Sequence, residues 1–488
     1  MTSHPPVSLQ LRETATPVSP LLFGHFIEFA ENCIDGGICD PKSPASDEHG
    51  IRQDVLALAK NLRPTILRFP GGTFANIYHW MDGVGPMDAR RRRKNLIWGG
   101  ITDNRFGTAE FISYCRALGA EPMLCVNMAS GTAQEAAEWV EYCNGEAGTH
   151  YADLRAAHGY PEPFRVRYWC IGNESYAEPD LGAQHDPDRY ISDAWEFTKH
   201  MKLMDPSLKL IFVGNSEDPA WNRKILEALS PVCDYISFHH YSGEGSRGTY
   251  GPFLSLMEFR ENLNSLISTV RDGSHRSVPF NPWYRFPRRA EDIRLAIDEW
   301  NIWNPMPSGD NNRYGLRTVY TWRDALWTAC MMNTLLRHAQ DIGIANLAQM
   351  VNVLSPIMTD GDRAYVQPTY HVLKLYRDHM EGMLMECTSD SPVIHTASGD
   401  VPMLDAAACR HPGGTLRLFL VSLSKEDPLM ISLPEAFRLR ECTLLQAPDF
   451  DAFNTPGRDV VSTTQGSVSG GDIILPPAAV CAAVLEDA

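Results

Sequence analysis

Eight short runs of apolar, often β-branched residues recur through the first four-fifths of the chain, and that recurrence constrains the fold more than any other feature. They are Leu21–Phe29, Pro64–Phe69, Glu121–Asn127, Val166–Glu174, Leu208–Asn215, Asp234–Tyr241, Ile293–Trp300 and Ile344–Met350. Segments between them carry apolar residues at helical spacing: Asp54–Leu62, with Val55, Leu58, Ala59 and Leu62 on one face, Thr108–Leu118, with Thr108 as N-cap candidate and Gly119 as stop, then Gln134–Tyr142, Asp188–Met204, Asn222–Leu229 and Arg323–His338. Strands that alternate with helices pair in parallel, and eight such units close into a (β/α)8 TIM barrel. Beyond about Glu386 the helical spacing stops. Short alternating runs at Leu416–Ser424, Leu429–Leu433, Arg440–Ala447, Ile473–Leu475 and Val480–Leu485, separated by turns such as Pro412-Gly413-Gly414 and Gly470-Gly471-Asp472, read as a C-terminal all-β sandwich. Val7–Thr14 alternates as well. The expected division is an N-terminal strand of the sandwich in 1–18, the barrel in 19–385 and the sandwich proper in 386–488.

Two of the eight runs end on glutamate: Tyr168-Trp169-Cys170-Ile171-Gly172-Asn173-Glu174 and Leu295-Ala296-Ile297-Asp298-Glu299-Trp300-Asn301. An unpaired carboxylate is too costly to serve as core packing. At the C-terminal mouth of a parallel barrel, by contrast, strand ends present catalytic groups. Two carboxyls about 5 Å apart can cleave a glycosidic bond with retention, one protonating the leaving oxygen and the other attacking the anomeric carbon. Asp298 precedes Glu299 and by alternation should point the other way, into the barrel wall.

Other strand ends add polar groups to that face: Glu28, Arg68 ahead of Pro70-Gly71-Gly72, Asn173, His239 and Tyr241 with His240 turned away, and Gln349. Such a ring suits a hydroxyl-rich ligand. Trp98 and Trp303 lie in loops where they can stack on a sugar, whereas Trp300 reads as core. The long segments Tyr78–Arg105, Ser242–Arg289 and Asn304–Tyr314 follow strands and fall on the same face. No metal or cofactor site is expected: His239-His240 has no companion at ligand spacing, and neither a Gly-x-Ser-x-Gly elbow nor a phosphate-cradling loop occurs. Ser216, in Gly214-Asn215-Ser216, reads as a turn rather than a nucleophile.

The 488 residues carry a formal charge of −17, which disfavours nucleic acid and anionic membranes as partners, and no apolar run approaches the ~20 residues of a membrane span. The run Arg90-Arg91-Arg92-Arg93-Lys94 reads as a solvated loop. The 12 cysteines are scattered through apolar strands without a Cys-x-x-Cys, as reduced core thiols would be. Met1-Thr2-Ser3-His4-Pro5-Pro6 has neither basic start nor apolar stretch, so a cytoplasmic location is expected. Asn173-Glu174-Ser175 matches a glycosylation acceptor, but a strand end inside a barrel mouth is a poor place for one.

Across nearly its whole length the chain resembles the α-L-arabinofuranosidases of glycoside hydrolase family 51. The likeness is carried by Phe23-Gly24-His25-Phe26-Ile27-Glu28, Leu67-Arg68-Phe69-Pro70-Gly71-Gly72, Asn104-Arg105-Phe106-Gly107-Thr108, Trp169-Cys170-Ile171-Gly172-Asn173-Glu174, the run Asp234–Tyr241, Asp298-Glu299-Trp300-Asn301 and the run Ile344–Val353. The resemblance implies Glu174 as acid/base and Glu299 as nucleophile; the acid must start protonated, so the charge of Glu299 is expected to raise the pKa of Glu174. It also implies furanose-holding or orienting roles for Glu28, Arg68, Asn173, His239, Tyr241 and Gln349, aromatic walls at Trp98 and Trp303, arabinofuranose-containing oligosaccharides as substrates, and a hexamer. Thr73 stands where the family usually has a sugar-contacting asparagine, His240 replaces a frequent glutamine, and Ser175-Tyr176-Ala177-Glu178-Pro179 departs from the commoner form. A β-xylosidase, galactofuranosidase or endo-glucanase on the same frame stays open. A non-catalytic sugar-binding protein would be expected to have lost one acid, and both are present.

Overall fold

The computed structural model describes residues 5–177, 181–243, 245, 247–304, 306–309, 312–469 and 472–488. The first four residues, Glu178-Pro179, three positions of the Asn304–Tyr314 loop (305, 310 and 311) and the Gly470-Gly471 turn lie outside them. Eight parallel strands close a barrel in sequence order: Gly24–Phe26, Ile66–Phe69, Glu121–Val126, Tyr168–Ile171, Lys209–Val213, Tyr235–Ser242, Arg294–Ile302 and Ile342–Ala348. Each falls on one of the eight expected runs. The first is the shortest, because Pro20–Phe23 winds into a 3₁₀ turn before it.

Alternation sorts the side chains. Ile66, Met123, Cys125, Tyr168, Cys170, Ile211, Ala296 and Ile344 fill the barrel interior. Their neighbours, among them Leu67, Phe69, Trp169, Ile236, Phe238 and Trp300, pack outward under the helices. Helices follow at Gln53–Leu62, Thr108–Leu118, Ala133–Asn144, Pro187–Met204, Pro219–Leu229, Gly251–His275 and Trp322–Arg337. Thr108 is not a cap. It opens its helix inside the fold, where its hydroxyl accepts a hydrogen bond from Trp139 Nε1 (3.0 Å). Glu110 reaches back instead to accept from the Gly107 amide (2.9 Å), and Gly119 ends the helix in the left-handed region. All 12 cysteines are free and buried. No helix of the described residues is long and apolar enough to cross a membrane.

The strand Val7–Pro17 pairs antiparallel with Met383–Ser389, and its first residues pair in parallel with Leu429–Ser432. It thereby joins two wings of a ten-stranded ribbon. Leu429, Ile431, Ile473 and Leu475 of one wing share a buried cluster with Leu418, Leu420, Ala483 and Leu485 of the other, so the ribbon closes on itself as a sandwich. Its opposite face meets the barrel helices Trp322–Arg337 and Pro368–His379, with Tyr376 stacked on Phe419 at 4.5 Å.

One polar knot pins that junction. Asp405 is buried and faces Arg260 (2.7 Å), Arg337 (3.0 Å) and Asn333 Nδ2 (2.8 Å). Burial alone would raise its pKa, but the two guanidinium groups draw it down to about 2. A carboxylate with a depressed native pKa contributes stability that is present above its ordinary 3.8 and is lost as pH falls toward about 2. Asp405→Ala should therefore lower unfolding stability by about 3–5 kcal/mol at neutral pH, because two arginines lose a buried partner. The gap from wild type, followed by denaturant melts, should narrow only below about pH 4.

Candidate active site

The C-terminal mouth of the barrel gathers four carboxyls around one guanidinium. Arg68, at the end of the second strand and 1% exposed, donates from Nη1 to Glu299 Oε1 (2.7 Å) and from Nη2 to Asn173 Oδ1 (2.5 Å), while its Nε lies 3.6 Å from Asp298 Oδ2. Tyr241 donates its hydroxyl to the other Glu299 oxygen (2.7 Å). His239, on the same face of the sixth strand, has Nδ1 2.7 Å from Glu174 Oε1 and 3.5 Å from Glu299 Oε2. Carboxylate oxygens of Glu174 and Glu299 come within 4.8 Å of each other. Glu28 accepts from the Phe74 amide (2.9 Å) and from Gln349 Nε2 (2.9 Å).

Local backbone makes these approaches possible. A side chain at Gly71 would collide with Glu28 Cγ at 2.2 Å, and one at Gly72 would come 2.7 Å from Glu299 Oε1. Only two successive glycines let the loop after the second strand pass between the acids. Glu174 lies three residues past its strand with φ of 41°, after Gly172 at φ of 84°. That left-handed step, uncommon for a glutamate, turns its carboxyl into the mouth.

The structure thus brings together Glu28, Arg68, Asn173, Glu174, His239, Tyr241, Glu299 and Gln349. Trp98 stands beside Glu28, half-buried, its loop fixed by Asn95, which accepts from the Trp98 amide (2.8 Å) and donates to Phe29 O (2.8 Å). Trp303 sits at the rim, 39% exposed, edge-on to Tyr241 at 5.7 Å. Thr73 opens the 3₁₀ turn Thr73–Ile77 just after the paired glycines and is half-buried. Trp300 is core, packed near Trp327 at 6.2 Å. His240 faces away and stacks on Phe259 at 4.0 Å. Ser216 donates to His239 O (2.7 Å), as a turn residue does.

Three further comparisons bear on this geometry. The family models described as "Alpha-L-arabinofuranosidase 1 domain" and "Alpha-L-arabinofuranosidase C-terminal domain" match residues 58–256 and 298–478. A probable α-L-arabinofuranosidase C of Aspergillus fumigatus is 33% identical over 96% of this chain and 94% of its own. An intracellular exo-α-(1→5)-L-arabinofuranosidase of Bacillus subtilis is 33% identical over 93% and 92%. The solved family 51 α-L-arabinofuranosidase of Thermotoga petrophila superposes with a TM-score of 0.84 at 35% identity, covering 98% of this chain and all of that one. The chain belongs to the family 51 α-L-arabinofuranosidases. It is a glycoside hydrolase.

Within this family 51 site, two expectations need correction. Asp298 does not face the wall. The seventh strand carries a bulge: Ala296 pairs with Ser237 and Glu299 with His239, three residues against two. The extra residue turns Asp298 and Glu299 to the same side. Asp298 is fully buried beneath the site, accepts from Ser237 Oγ (2.5 Å) and lies 3.5 Å from His239 Nε2. Asp298 and Ser237 are thus supporting residues that alternation could not reveal.

The second correction concerns the proton. Burial raises the Glu174 pKa, but the His239 hydrogen bond and the charges of His239 and Arg68 together outweigh it, and the net shift is downward. Burial lowers His239, yet Glu299, Asp298 and Glu174 together lift it well above 6.5. The expected acid proton therefore rests on His239, 2.7 Å from the Glu174 oxygen. Burial pushes Glu28 up to about 7, with the Phe74 amide opposing and Glu299 adding to the rise. Glu174, His239 and Glu299 offer ligand atoms within 4.8 Å of one another, the one such trio found among the described residues. An added cation there would have to compete with the Arg68 guanidinium already bonded to Glu299.

The basic limb of kcat/KM should then report loss of the shared His239–Glu174 proton and lie above pH 6.5. In His239→Gln the limb should move to lower pH, because the carboxyl of Glu174 must hold the proton alone. A pH–rate profile whose basic limb stays in place would remove His239 from that role.

Proposed function

We propose that the chain is a retaining, exo-acting α-L-arabinofuranosidase that releases terminal non-reducing arabinofuranosyl residues from arabino-oligosaccharides by double displacement. The carrying observation is the separation within 4.8 Å of the Glu174 and Glu299 carboxylate oxygens. That spacing suits a retaining pair at about 5 Å and leaves no room for the interposed water of an inverting site, which needs about 6.5–9.5 Å. Glu299 is the nucleophile. Arg68 and Tyr241 each hold one of its oxygens, which fixes the orientation of the carboxylate.

Glu174 is the acid/base. As Glu299 attacks the anomeric carbon, the glycosidic C–O bond breaks and Glu174 gives the leaving oxygen the proton it shares with His239. Esterified Glu299 carries no charge, so one of the acids holding the His239 proton is gone. Glu174, now a carboxylate, draws a proton from water, and the resulting attack on the anomeric carbon frees the sugar and Glu299. Glu28, Gln349, Asn173 and Trp98 hold the furanose. Buried Asn173 Nδ2 and Gln349 Oε1 have no protein partner, and a hydroxyl-bearing ring would supply one.

The wider assignment follows the same reading. A catalytic barrel spans 19–385, with the sandwich built from 1–18 and 386–488; the pairing of Val7–Pro17 with Met383–Ser389 supports it. A cytoplasmic location, which implies short oligosaccharides as substrates, is supported by the intracellular Bacillus subtilis relative, and assembly as a homo-oligomer, a hexamer by family likeness, belongs to the same proposal.

Glu299→Ala should abolish turnover of an aryl α-L-arabinofuranoside. Glu174→Ala should lose about 10²–10⁴-fold on poor leaving groups, far less on activated aryl ones, and recover with azide. Equal losses across all leaving groups would remove Glu174 from the acid role. Faster cleavage of another sugar in a nitrophenyl glycoside panel would transfer the same chemistry to that sugar.

A further inference from the structure

The run Arg90–Lys94 is not one solvated stretch. Arg90 is buried and holds Glu110 through both terminal nitrogens (2.9 and 2.8 Å) as well as three backbone carbonyls. Arg93 and Lys94 form a two-stranded ribbon with Ile101-Thr102. That ribbon walls a cavity of about 540 Å³ on the catalytic face, within the size range of small-molecule sites.

Three observations relate the cavity to the catalytic pocket. Phe74 lines it, and the Phe74 amide is the donor to Glu28. Leu96 lines it, two residues before Trp98, which stands beside Glu28. Leu181 and Gly182 line it from the loop that follows Glu174. A leaving group departs on the side of the residue that protonates it, so the cavity lies where the next sugar of a substrate would rest.

Its charge is unusual for a chain of −17. Asp82 is buried and bound to Arg93 (2.6 Å), with Arg91 at 3.9 Å. Asp88 and Asp103 are taken up by Arg105 (3.0 and 3.4 Å). His79 is matched by Glu135 (3.0 Å). Lys94 is exposed and has no acidic partner among the described residues. The rim is apolar, with Leu96 62% and Leu181 44% exposed, which suits the apolar face of a sugar ring. A neutral sugar would gain nothing from an exposed Lys94 beside an Asp82 that Arg93 already matches; a carboxylate-bearing one would gain from it.

We propose that this cavity is a leaving-group subsite for a hexuronic acid residue, its carboxylate drawn to Lys94 and its ring resting on Leu96 and Leu181. The proposal rests on the arabinofuranosidase reading and names the class of aglycone. The test compares two disaccharides carrying an α-L-arabinofuranosyl group, one on galactose and one on galacturonic acid, with an aryl arabinofuranoside as reference. Wild type should favour the uronate, through a lower KM. Lys94→Glu should cut the uronate-to-neutral ratio of kcat/KM about three- to tenfold, Lys94→Gln less, and both should leave the aryl substrate unchanged. Salt at about 1 M, where the screening length is about 3 Å, should compress the wild-type ratio toward one. No uronate preference in wild type, or a ratio that Lys94→Glu leaves in place, overturns the subsite. Failure to cleave the aryl arabinofuranoside would instead overturn the functional reading beneath it.

Discussion

A permanent positive charge buried at the mouth of the barrel organises everything around it. Arg68 cannot shed its proton, and 1% exposure leaves it almost no water. It is tolerable there only because Asp298, Glu299 and Asn173 converge on its three nitrogens. The dependence is mutual. Without Arg68, Asp298 and Glu299 would be adjacent acids in a nearly dry pocket with no guanidinium to bridge them. The bulge in the seventh strand and the glycines after the second serve this one meeting: the first turns both acids inward, and the second clears the backbone from their path. The Glu299 carboxylate is thereby held from below by a fixed cation, in the orientation that the proposed attack from above requires.

The same electrostatics resolve an apparent conflict. The proposed mechanism asks for a protonated Glu174, yet its surroundings favour the carboxylate. The two statements agree once the proton is counted for the pair. His239-H⁺ with Glu174⁻ and neutral His239 with Glu174-H contain the same proton, separated by one 2.7 Å hydrogen bond. Sugar entering the pocket excludes water and brings the leaving oxygen as a new acceptor, which favours the form with the proton on Glu174. Asp298 below His239 Nε2 steadies the imidazolium until then.

Much of this was legible in the sequence because it depends on period and position. All eight barrel strands showed as apolar runs, since each is buried on both faces and leaves a continuous signal. His239 and Tyr241 could be placed together, and His240 apart, by simple alternation. The features that escaped depend on contacts between distant segments. The bulge at Asp298 adds one residue to one strand, and nothing in Ile297-Asp298-Glu299 announces it. Leu404–Arg410 is a strand rich in alanine, so its composition hides its geometry, and the Met383–Ser389 strand is defined mainly by its partner Val7–Pro17. Arg90 looks like any member of a basic run until the fold supplies Glu110.

The proposed site has two layers, a hydrogen-bonded network at the strand ends and a set of loop residues above it. Arg68, Glu299, Tyr241, His239 and Glu174 are linked to one another through hydrogen bonds, and each stands on or just beyond a barrel strand. Displacing one disturbs the rest. Trp98, Trp303 and Thr73 are on loops, fixed by their own local contacts: Trp98 by Asn95, Trp303 by the edge of Tyr241, Thr73 by its place in a single 3₁₀ turn. Such positions can change residue without unbalancing the buried charges. That is why a threonine can stand at 73 over an undisturbed Arg68–Glu299 pair, and why differences among related enzymes in the sugar they accept should collect in these loops while the carboxylates beneath them stay the same.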